Sequence, residues 1–153
     1  MAVRVQSGPF DLAAEMAAVR GGRTDIGALV TFTGSVRDSS HGGRLTAMTL
    51  EHYPGMTEAE LTRIEAEAAQ RWPLQASLIV HRHGRLLPGE DIVLVITASA
   101  HRDAAFAAAQ FLMDYLKTSA PFWKKEETVD GGASWVEAKP NDTVAEARWR
   151  HGS

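Results

Sequence analysis

The chain has 153 residues, 44% of them hydrophobic, which suits a single domain over 1–153 and leaves little room for a second. With 16 Lys and Arg against 19 Asp and Glu the net charge is -3, so no global basic field exists to hold a nucleic-acid backbone and any cationic site must be local. Cysteine is absent, which removes disulfides, thiolate nucleophiles, persulfide carriers and thiolate metal sites together.

Val3 to Gln6 reads as a strand and Phe10 to Val19 as a short helix. The β-branched and aromatic run ALVTFTGSVR, Ala28 to Arg37, stops at the polar loop DSSHGG, and RLTAMTLEHY follows as a second strand ending at Pro54-Gly55. These two strands are expected to pair as a hairpin or meander. Thr57 three residues before Glu60 has capping-box spacing, and Leu61, Ile64 and Ala68 supply the apolar stripe of a helix ending near Trp72-Pro73.

ASLIVHRHG and DIVLVITAS read as strands across the turn LLPGE, the second apolar on both faces like a central strand. Ser99 is placed to cap a long helix from about Ala100 to Thr118, which Pro121 stops. FWKKEETV, the turn DGG and SWVEA form a hairpin, so that about 122–153 is a C-terminal hairpin and tail with a last helical turn around Trp149. Helices mixed with antiparallel pairs make the class α+β. No run of eighteen apolar residues is present and the opening MAVRVQSGPF carries no long apolar stretch, so the expectation is a cytoplasmic protein without a membrane span.

On the long helix Phe106, Gln110, Met113 and Lys117 fall on one side, which makes Lys117 the continuation of an apolar stripe. In the strand that follows, alternation sets Phe122, Lys124 and Glu126 on one face and Trp123, Lys125 and Glu127 on the other. Two readings of these lysines stand side by side. One makes Lys117 a last-turn cation on the helix dipole and Lys124 and Lys125 edge-strand solubilisers. The other makes Lys117 a partly desolvated group for proton transfer or attack, with Lys124 binding an anion.

His101 and Arg102 at the helix start suit a phosphate, because unpaired N–H groups and the positive dipole end face it; exposed side chains without a ligand are the plain alternative. His81 and His83, two apart on one strand face, lack a third spaced ligand, so a metal site is not expected. Neither a phosphate-cradling Gly-Lys-Thr loop nor a Gly-x-Ser-x-Gly elbow occurs.

In chain order, VTFTGSVR, LEHYPGMTE, RWPL, HRHGRLLPGE, SAHRDAAF and FLMDYLKTSAPFWKKE resemble the large, catalytic subunits of molybdopterin synthases. The resemblance implies an enzyme that builds the dithiolene of molybdopterin on cyclic pyranopterin monophosphate. It implies sulfur delivered as a thiocarboxylate on the C-terminal Gly-Gly of a small ubiquitin-like subunit, whose tail enters a pocket of the large one. It further implies an α/β-hammerhead type of fold with a small antiparallel subdomain, a homodimer within a heterotetramer, and no metal or other cofactor. Lys117 in DYLKT falls at the family's essential lysine and Lys124 in PFWKKE at its second. Ser35, Val36, Arg37, His101, Arg102, Met113, Lys125, Glu126 and Lys139 fall at or beside substrate-pocket positions. Two depart from the pattern: Ser35 stands where relatives often carry Lys, and Lys139 where Arg occurs, which lacks the bidentate fork.

Arg102 and Lys117 are fifteen residues apart, about 22 Å along one helix, so the expectation is a composite site with His101 and Arg102 supplied by the second copy of a dimer. A non-catalytic module docking a ubiquitin-like tail, and an enzyme using Lys117 as a Schiff base, are the other readings of the same residues.

Overall fold

The computed structural model describes residues 1–40, 43–136, 144 and 147–150. The first sheet has the order β1 (Ala2–Gln6), β5 (Leu74–Arg82), β7 (Asp91–Ser99), β2 (Ala28–Ser35). β1 runs parallel to β5, and the other neighbours are antiparallel. The two middle strands are buried on both faces, which is why their sequences read as continuous apolar runs.

On one face, Ile79, Val93 and Val95 pack against Leu61, Ile64 and Ala68 of α2 (Met56–Arg71) and against Ala109, Leu112 and Tyr115 of α3 (Arg102–Thr118). On the other, Leu78, Val80, Leu94 and Ile96 meet Met16 and Val19 of α1 (Leu12–Arg20). Period-two alternation along β5 and β7 thus feeds two separate cores. Gly27 donates its N–H to the Ser99 carbonyl at 3.0 Å, and a Cβ there would meet the Ala100 oxygen at 2.1 Å, so only glycine lets β2 begin against the end of β7.

The second sheet has the order β3 (Ser39–Ser40), β4 (Gly43–His52), β8 (Phe122–Thr128), β9 (Ala133–Val136), and β6 (Gly84–Leu86) also pairs with β4. Val36, Met48, Leu50 and Leu86 form its core. The class is α+β, as the alternation of elements predicts.

Four local expectations are corrected. The strands over 28–37 and 44–53 do not pair with each other: β2 lies against β7, and β4 lies against β8 in the other sheet. The polar loop between them instead begins the short hairpin β3–β4. The capping box of α2 is set by Glu58, whose carboxylate accepts the Gly55 N–H at 3.2 Å, whereas Thr57 is buried inside the first turn and donates to the Pro121 carbonyl. Ser99 does not cap α3; its hydroxyl donates to the Pro73 carbonyl at 2.8 Å and His101 occupies the cap position. The buried stripe of α3 is Ala105, Ala108, Ala109, Leu112 and Tyr115, so Phe106, 60% exposed, and Gln110 lie outside the core.

The hairpin β8–β9 is present as its turn residues predict. Ala147 to Arg150 form a single turn whose Trp149 packs edge-on against Trp72 and Phe111.

Candidate active site

α3 ends because Ser119 N–H and Ala120 N–H both return to the Tyr115 carbonyl, and Pro121 then directs the chain into β8. This tight exit brings the last turn of α3 beside the first residues of β8. Lys117 and Lys124 therefore line one cavity of about 270 Å³, with Ser35, His81, Met113 and Phe122 also in its wall. Among the described residues no carboxylate side chain lines that cavity, and the charged groups in its wall are the two ammonium groups. An adjoining cavity of about 610 Å³ shares both lysines and Ser35 and adds Arg37, Glu126 and Trp135.

The structure thus gathers Lys117, Lys124, Ser35, Met113, Arg37 and Glu126 around two connected hollows. Ser35 donates its hydroxyl to the Asp91 carboxylate at 2.9 Å, an uncharged donor where a lysine would bring a further cation to the rim. Other expected pocket residues lie elsewhere. Val36 is a core residue, 3% exposed, because its side chain packs on Met48, Leu50 and Leu86. Lys125 sits on the opposite face of β8, its ammonium 6.0 Å from the Trp135 ring centroid, as strand alternation requires. His101 and Arg102 are exposed at the far end of α3 and line neither cavity within one chain. Lys139 lies outside the described residues.

His81 is the pocket residue that sequence reasoning passed over. It lies on the same face of β5 as Ser77 and Ile79, the face that α2 and α3 cover, and its ring stacks on Phe122 with centroids 3.7 Å apart. Burial pushes its pKa down to about 4, and the neighbouring Lys124, Lys117 and His52 push the same way against the hydrogen bond to the Arg82 carbonyl. The ring is neutral at physiological pH. His83 belongs to a different contact, lying 4.3 Å from the His52 ring, and among the described residues no three His, Asp or Glu side chains cluster to hold a metal ion. The one available signal for His81 was its period-two register with Ile79 on a strand otherwise apolar.

Residues 5–119 match a family model described as MoaE protein. A molybdopterin synthase catalytic subunit of Mesorhizobium japonicum is 60% identical over 152 residues, covering 99% of this chain and 94% of that protein. The solved structure of a molybdopterin biosynthesis MoaE protein from Burkholderia ambifaria superposes with a TM-score of 0.81 at 54% identity, covering 98% of this chain and 99% of that one. A Helicobacter pylori chain, solved as a protein–protein complex of subunits 1 and 2 of molybdopterin-converting factor, has a TM-score of 0.71 at 18% identity over 90% of each chain, and bears on the fold alone.

Proposed function

The chain belongs to the MoaE protein family, and from that membership we propose how its cationic cavity works. Its activity is that of a molybdopterin synthase catalytic subunit, an enzyme transferring sulfur in molybdenum cofactor biosynthesis. The substrate of the cavity is cyclic pyranopterin monophosphate. The sulfur donor is the thiocarboxylate at the Gly-Gly end of a small ubiquitin-like partner subunit. The observation that carries this reading is the convergence of Lys117 and Lys124 on one hollow in whose wall, among the described residues, no carboxylate stands. Both guests are anions, and two ammonium groups lining one cavity match them.

In each round the thiocarboxylate sulfur forms a carbon–sulfur bond to the pterin side chain as a carbon–oxygen bond there breaks, the oxygen leaving as water or staying on the phosphate. Water then cleaves the acyl–sulfur bond, the tail leaves as a carboxylate and the sulfur stays on the pterin. A second charged tail delivers the second sulfur. Lys117 moves a proton or stabilises charge at the thiocarboxylate and its acyl intermediate, while Lys124 holds and polarises the pterin. Sulfur never resides on this chain, which fits its lack of cysteine. The setting is the cytoplasm; no helix among the described residues is long and apolar enough to cross a membrane.

The test is reconstitution. The purified chain with thiocarboxylated small subunit and cyclic pyranopterin monophosphate is expected to yield molybdopterin, detected as its oxidised pterin, and the same partner ending in a plain carboxylate to yield none. Tail binding without product would favour the docking module instead.

His101 and Arg102 belong to the same site through a second copy of the chain. Within one copy the helix keeps Arg102 and Lys117 about 22 Å apart, too far for one pterin to touch both. Hybrid dimers of Arg102→Ala and Lys117→Ala chains are therefore expected to regain about one working site per dimer, since one copy's intact Arg102 serves the other's intact Lys117. Verified hybrids that stay as inactive as the parents rule out sharing.

A further inference from the structure

His81 lines the lysine cavity although only 6% of the residue is exposed, and its backbone pairing and two ring contacts hold it there. The backbone is held by antiparallel pairing with Val93. Phe122 stacks on the imidazole with an interplanar angle of 17°. Nδ1 lies 2.8 Å from the Arg82 carbonyl oxygen, and because that oxygen only accepts, Nδ1 carries the proton. A neutral ring protonated at Nδ1 keeps its lone pair on Nε2. Among the described residues the charged groups of this cavity are ammonium donors.

Lys124 follows Phe122 by two residues and shares its face of β8, so the lysine that bears on the cavity starts beside the ring that His81 stacks on. We propose that His81 is a positioning residue, whose Nε2 accepts a hydrogen bond from the Lys124 ammonium and aims that lysine into the cavity. The proposal rests on the reading of Lys124 as the group that holds the substrate. The titratable groups facing the ring are Lys117 from α3, Lys124 from β8 and His52 from β4. A third cation among them would drive the two lysines apart. A neutral acceptor holds one ammonium in place and leaves its full charge for the anionic guest.

Three substitutions separate this role from packing. His81→Asn keeps a donor near Nδ1 and loses the acceptor, His81→Gln sets an amide oxygen near the Nε2 position, and His81→Phe keeps only the stack. In the two-subunit assay with thiocarboxylated partner and cyclic pyranopterin monophosphate, Asn and Phe are expected to lower kcat/KM about tenfold and Gln to stay within about threefold of wild type. A residue that only fills space would rank Phe nearest to wild type, and that order overturns the proposal, as does an equal loss in all three.

A second readout does not depend on turnover. In the folded chain labelled with ¹⁵N-histidine and ¹⁵N-lysine, His81 is expected to show a pyrrole-type Nδ1 and a pyridine-type Nε2 from about pH 5.5 to 8. The Lys124 ammonium is expected to give a protected signal that His81→Asn abolishes and His81→Gln retains. A proton on Nε2, or a Lys124 signal indifferent to both substitutions, overturns the proposal whatever the assay yields. An inactive wild-type chain with the expected spectra counts against the sulfur-transfer reading alone.

Discussion

Lys117→Ala is expected to lower dithiolene formation by about 10²- to 10³-fold at saturating thiocarboxylated partner, the usual cost of removing one preorganised charge-stabilising group. Lys117 lies in the last turn of α3, where a cation is favoured by the helix dipole, and the exit at Ser119 and Pro121 turns that end of the helix onto the cavity. Among the described residues Lys124 is the other lysine lining the same hollow, so the variant removes one of the two ammonium groups described there. The fold should scarcely notice. Lys117 is exposed and alanine is the best helix former, so the change in stability is expected to stay within about 0.5 kcal/mol. Measuring product formation beside a urea midpoint separates the two effects. A rate within a few-fold of wild type, from a chain of unchanged stability, removes Lys117 from the chemistry.

The second large effect is on acid stability. His81 stays neutral in the folded chain down to about pH 4, whereas its unfolded form takes a proton near the ordinary 6.5. Between those values the unfolded state binds more protons. Stability therefore rises with pH across that window, is complete above it, and is lost as the pH falls towards 4. Wild type is expected to lose about 2 to 3 kcal/mol more than His81→Gln between pH 7.5 and 4.5, at 1.36 kcal/mol per pK unit. Carboxylates held low, such as Glu60 beside the Tyr115 hydroxyl and Arg63, titrate in both chains and cancel in the comparison. Equal losses from urea midpoints at the two pH values would mean that the imidazole is not buried neutral.

His81 also marks where reading the sequence stopped short. Its neighbours on β5, Ile79 and Val80, announce a strand, and the alternation even says which residues share its side. Nothing local says that this side meets the end of α3 and the start of β8. The stripe on α3 failed for a related reason: Phe106, Gln110 and Met113 are as regularly spaced as the residues that are buried. The small residues Ala105, Ala108 and Ala109 face the sheet because it approaches closely there, and alanines carry little hydrophobic signal of their own. Strand partnership was likewise misjudged for β2, whose sequence neighbour β4 belongs to the other sheet. Val36, beside two pocket residues, faces the second core because the chain passes between sheets at that point.

What the amino-acid sequence determined alone is local: the α+β order of elements, the hairpin β8–β9, the helix stop at Pro121, and two lysines just before and after it in a chain without cysteine. Periodicity, proline and turn residues act over a few neighbours, and their effect is written in those neighbours. The tertiary structure alone decided which strands pair, which side of α3 is covered, and that a neutral imidazole lines the same cavity as the cationic side chains. Those outcomes come from burial and hydrogen bonding between segments far apart in the chain, where many pairings satisfy the same local pattern and only the packed whole selects one.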